Sequence, residues 1–127
     1  MERLTNEMIR SLLLVGAGSA VGGILRWLLS MWLKWGGRGF PWATFAVNIL
    51  GCLLIGLLWG WGNRSLSPQL MLLLSVGLCG GFTTFSTFSK ESLILLQGGN
   101  YLMFALYVGG SIAFGIGATA IGWLLAK

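Results

Sequence analysis

The sequence predicts an all-α membrane protein: one domain over residues 1–127, made of four transmembrane helices. Three observations predict it. Charged residues make up 9 % of the chain and hydrophobic residues 56 %, whereas soluble domains carry about 25 % charged residues. A fold of this composition could not clothe a surface in water. The apolar residues also fall into four long runs, separated by short segments rich in Gly, Pro, Asn and cations. Finally, glycine reaches 21 residues and Trp seven; small residues let helix backbones approach in lipid, and Trp suits the interfaces. The net charge of +5 is scattered at the ends of the runs. That is the pattern of membrane flanks, so the partner it implies is a lipid bilayer and no nucleic acid.

Residues 1–10 carry Glu2, Arg3, Glu7 and Arg10 and read as the start of a helix. The first span covers residues 11–33. It is too long for a cleaved signal peptide and lacks a small-residue cleavage site. It holds Gly18-x-x-x-Gly22, a close-packing spacing, and Arg26. An Arg within a span must face protein or reach an interface; Trp27 beside it and Lys34 beyond favour an interface anchor. The segment from Lys34 to Pro41 is a turn with three glycines and two cations.

The second span covers residues 41–62 and is free of charge; Asn48 is its one strongly polar side chain. Such an amide either bonds across helices or lines a pore. Ser67-Pro68 reads as an N-cap followed by Pro at the first helical position. The third span, residues 68–96, exceeds the roughly 20 residues that a bilayer needs. A short turn, Gln97 to Asn100, leads to the fourth span, residues 101–125. On that span Tyr107, Ser111 and Gly115 lie four apart and share one face. Four spans are too few to enclose a pore, so a dimer is expected. Arg3, Arg10, Arg64 and Lys127 fall on one side, against Lys34 and Arg38 on the other. That bias is weak, and a chain with little preference could insert both ways.

Cys52 and Cys79 both lie inside apolar runs and His is absent. Inert thiols are the expectation, with a disulfide left open and a transition-metal site disfavoured.

The stretch Gly77–Glu91 interrupts the third span. The pair Gly80-Gly81 stands where a helix loses most backbone entropy, so the break is expected there. At about 100° per residue, Phe82, Phe85 and Phe88 form one stripe, with Thr83, Ser86, Thr87 and Lys90 opposite. A polar face inside lipid has use only along a polar path. The same stripe also suits plain core packing, and Ser or Thr in such helices often bond their own backbone. Lys90-Glu91 reads as an interfacial pair.

The string Gly80-Gly81-Phe82-Thr83-Thr84-Phe85-Ser86-Thr87-Phe88-Ser89, with Glu91 after it, resembles the signature of the Fluc (CrcB) fluoride channel family. Gly23, Arg26 and Trp27 in the first span, and Val47-Asn48 in the second, resemble it too. The resemblance implies an antiparallel, dual-topology homodimer with a broken third helix and two fluoride pathways. It implies passive export of fluoride across the cell's inner (plasma) membrane. It implies a structural sodium ion on the dimer axis, held by the backbone carbonyls of Gly80 and Thr83. The fluoride pathway it implies contains Asn48, Phe85, Phe88, Ser86, Thr87, Tyr107 and Ser111, with Arg26 and Glu91 toward a vestibule. Gly115 stands where the family often has a further hydroxyl. Phe82 stands where it often has Leu, and is assigned to packing.

Two other functions compete. A proton-coupled exporter of the small multidrug-resistance type has similar length and span count, but needs a membrane-embedded carboxylate, and the first span has none. A Gly-rich assembly subunit would need no polar stripe. An enzyme is not expected, since no nucleophile–base pair or metal cluster appears.

Overall fold

A computed structural model describes all of residues 1–127, and every regular element in it is helical. Four helical segments are long and apolar enough to cross a membrane. The first, α1, runs Glu2–Trp32; its 31 residues extend about 46 Å, well beyond a hydrocarbon core of about 30 Å. The second, α2, runs Trp42–Ser65. The third segment consists of α3, residues 68–82, and α4, Phe85–Gln97. The last, α5, runs Tyr101–Ala126. Each of the four helical segments covers one of the apolar runs, and α1 starts nine residues before residue 11.

The turns obey local chemistry. Gly37 (φ 86°) and Gly39 (φ 73°) take left-handed backbone in the loop before α2, and Gly99 (φ 76°) does so before α5, a conformation that costs glycine nothing. Ser67 caps α3 by accepting the Leu70 N–H at 3.2 Å, with Pro68 at the first helical position.

Two close-packed seams hold the bundle. In one, α1 lies along α3. A Cβ on Gly22 would sit 2.7 Å from the Phe82 nitrogen, and one on Gly81 would sit 2.8 Å from the Ser19 Cα. In the other, α2 lies along α5, and Gly122 rests against the backbone of Leu53 and Leu57. Both seams use missing side chains to gain dispersion contact where lipid gives no hydrophobic drive. Only 17 of the 127 residues are buried within the chain, so most apolar side chains point outward and are stable only against lipid or another protein surface.

Two stretches depart from α geometry. Leu58–Gly62 and Leu72–Cys79 are wound as π-helix. In the second, the Ser75 hydroxyl donates to the Met71 carbonyl at 2.5 Å and competes with the regular ladder. Neither stretch is visible in the sequence pattern.

Candidate functional site

The polar groups gather where α3 ends and α4 begins. Thr83 (φ −84°, ψ 158°) and Thr84 (φ −151°, ψ 122°) are extended. The glycines expected to interrupt the span do not: Gly80 is helical (φ −61°, ψ −39°), and Gly81 is helical too. Gly81 is instead small because the α1 backbone crosses it. The chain leaves the helix at two β-branched residues, which tolerate extended backbone well. The single wheel drawn through Phe82 and Phe88 therefore splits, and Phe82 and Thr83 do not share a helix with Phe85.

An amide on α2 holds the extended pair. The Asn48 Nδ2 donates to the Thr84 carbonyl at 3.0 Å, and the Thr84 N–H donates to the Asn48 Oδ1 at 2.8 Å. In a continuous helix the Thr84 N–H would go to the Gly80 carbonyl. The Thr87 N–H, which would go to the Thr83 carbonyl, bonds the Thr84 hydroxyl at 3.2 Å as an N-cap. The carbonyls of Gly80 and Thr83 are thereby both deprived of their helical donors. A third carbonyl, Gly81, accepts from the Arg26 Nε at 3.1 Å. Arg26 is thus half-buried, with its side chain tied to the backbone just before the chain leaves the helix.

Two spaces flank this knot. A groove of about 400 Å³ is lined by Asn48, Gly51, Gly80, Thr83, Thr84 and Phe85 together with both cysteines, which are free thiols. On the other side a cavity of about 110 Å³ is lined by Arg26, Ser30, Thr44, Thr84 and Thr87 with Ala43 and Val47. Ser86 is exposed, 3.4 Å from the Thr84 hydroxyl. Thr87 is half-buried.

The aromatic residues form a file. Phe85 and Phe88 stand 5.8 Å apart between ring centroids, and Phe88 and Tyr107 stand 5.0 Å apart. Phe85 is 78 % exposed, while Tyr107 is wholly buried. The Tyr107 hydroxyl donates to the Glu91 Oε1 at 2.8 Å. Glu91 makes no ion pair with Lys90; the one ion pair in the chain is Arg3–Glu7 at 3.9 Å. One turn beyond Tyr107, the Ser111 Oγ is buried with no hydrogen-bond partner. Gly115 lies against Cys52, and the Thr119 hydroxyl reaches back to the Gly115 carbonyl (3.1 Å) and across to that of Cys52 (3.2 Å). Sequence reasoning stopped at Gly115, although the same four-residue spacing leads to Thr119. It also missed Thr84 as the clamped residue and Gly51 beneath it.

Four helical segments, each long and apolar enough to cross a bilayer, define a multi-pass membrane protein. The chain belongs to the CrcB family: the family described as "CrcB-like protein, Camphor Resistance (CrcB)" matches residues 13–123. A protein of Phocaeicola vulgatus named "Fluoride-specific ion channel FluC" is 48 % identical over 119 residues, covering 91 % of this chain and 98 % of that one. One of Chlorobaculum tepidum with the same name is 46 % identical over 122 residues, covering 94 % and 97 %. One of Bacteroides fragilis, also so named, is 53 % identical over 89 residues, covering 69 % and 70 %.

Proposed function

We propose that this chain is a fluoride channel subunit, not an enzyme. It passively exports fluoride across the plasma (inner) membrane through two pathways of an antiparallel homodimer. The observation that carries the reading is the pair of carbonyls, Gly80 and Thr83, cut off from their helical donors beside the Phe85–Phe88 pair, in a chain whose relatives are named fluoride channels. The highly exposed Phe85 and the groove beside it supply a face for a second copy.

Fluoride is small and holds its water tightly, so dehydration needs replacement donors. Asn48 has one amide N–H left after Thr84 takes the other, and it lines the groove. The hydroxyls of Ser86 and Thr87 and the unpartnered Ser111 Oγ add further donors. The positive edges of Phe85 and Phe88 suit an anion, which Phe faces do not. Arg26 keeps its guanidinium beside Thr87, favouring anion entry at one mouth. Tyr107 and Glu91 fix the wall behind Phe88 through their mutual hydrogen bond.

The donor set at the interruption fits a hard alkali cation: it is neutral backbone oxygen, deprived of N–H partners and bordering a groove. Gly80 and Thr83 would hold a structural sodium ion there. When bound, sodium supplies a fixed positive charge that satisfies those oxygens and offsets the cost of an anion nearby.

The proton-coupled exporter is the weaker reading. Glu2 and Glu7 lie in the exposed first two turns of α1 and Glu91 is engaged by Tyr107, which leaves no free carboxylate deep in a span. The test is fluoride release from liposomes holding the purified protein, with the membrane potential clamped and no pH gradient. A channel releases fluoride and retains chloride. Absence of fluoride release, together with transport of an organic cation only when a pH gradient is imposed, identifies the exporter.

A further inference from the structure

Gly51 has no assigned role, yet it sits against the interruption. It lies on α2 one turn beyond Asn48, buried, and a Cβ on Gly51 would clash with the Thr83 Cγ2. The other branch of Thr83 is also committed: its hydroxyl donates to the Cys79 carbonyl at 2.9 Å. A β-branched side chain with one arm fixed has only one staggered place for the other. Each part of Thr83 is therefore used. The hydroxyl ties it down to α3, and the methyl points into the notch on α2. Next to it, Asn48 pins the Thr84 backbone from the same helix.

We propose that Gly51 is a positioning residue for ion passage: its bare Cα is the socket for the Thr83 methyl, and socket and amide together keep Thr83–Thr84 extended. The inference rests on the channel reading for its effect on flux, but the socket itself is a property of the fold. A methyl added at Gly51 drives Thr83 off α2. That strains the two Asn48–Thr84 bonds and shifts the Gly80 and Thr83 carbonyls beside them. Serine at 83 keeps the hydroxyl and removes the clashing atom, so it should rescue; valine keeps the methyl and should not.

The experiment uses the full-length purified protein. Gly51→Ala, Thr83→Ser, Gly51→Ala/Thr83→Ser and Gly51→Ala/Thr83→Val are compared by hydrogen exchange of the Thr84 amide without fluoride, and by fluoride release from liposomes. Gly51→Ala should speed Thr84 exchange and slow release, each about tenfold. Thr83→Ser alone empties the socket and keeps the hydroxyl, so it sets the level against which rescue is read. The Ser double variant should return both readouts toward that single variant, and the Val double variant should remain impaired. Gly51→Ala with wild-type exchange overturns the inference, and so does equal rescue by Ser and Val or rescue by neither. Wild type that carries no fluoride sinks the channel reading but leaves the exchange series to decide this one.

Discussion

Replacing Asn48 by alanine removes both bonds to the Thr84 backbone, at 3.0 and 2.8 Å. Those bonds are part-buried within a span, where few substitutes exist. A buried donor or acceptor left unsatisfied costs about 1–3 kcal/mol, so the pair together gives about 2–6 kcal/mol. Water entering the neighbouring groove lowers this toward about 2–3 kcal/mol, still a large part of a typical stability of about 5–15 kcal/mol. Thr84 has one escape. Its N–H can return to the Gly80 carbonyl as in a continuous helix, which recovers one bond but reseats Phe85. Asn48→Ala should therefore lose stability in reversible denaturant unfolding in detergent, and lose fluoride flux whichever way Thr84 relaxes. Asn48→Asp keeps an acceptor for the Thr84 N–H and should lose about half as much stability, yet still lose flux because its charge repels the ion. Asn48→Ala within about 0.5 kcal/mol of wild type, with normal fluoride flux, would refute the reasoning.

Ser111→Ala should leave stability unchanged or raise it by up to about 1 kcal/mol, since its buried Oγ has no partner to lose; fluoride release should fall nonetheless, and unaltered release would remove Ser111 from the path. Tyr107→Phe breaks the bond to Glu91 and should cost about 1.5–3 kcal/mol in thermal or denaturant unfolding, as for a bond to a carboxylate. Gly81→Ala places a methyl against the Ser19 backbone of α1 and should cost about 1–3 kcal/mol by overpacking, whereas Gly80→Ala, with open space around it, should cost much less; equal effects would contradict the seam described here.

The spans were legible because lipid imposes a simple rule on composition, and Ser67-Pro68 was legible because capping is local. Of the residues singled out in the sequence, Asn48, Thr83 and Phe85 line one groove, and Phe85, Phe88 and Tyr107 stand in one file. Where the third span leaves the helix was misplaced, because a glycine pair reads alike whether it relaxes the backbone or admits a neighbouring helix; Ser19 against Gly81 decides for the second. That Arg26 reaches the Gly81 carbonyl was not legible, because backbone acceptors leave no mark in a sequence. Glu91 likewise seemed to belong with adjacent Lys90, while its partner Tyr107 lies across a turn on α5. The π-helical stretches depend on side-chain competition for carbonyls and have no periodic signature.

The account stands most directly on fluoride electrode traces from liposomes carrying wild type, Phe85→Ile or Phe88→Ile, each confirmed to elute as the same oligomer. Rapid fluoride release by wild type, chloride retained, and slow release by both variants are the outcome it predicts. Release by both variants as fast as by wild type, or chloride leaving alongside fluoride, would contradict it.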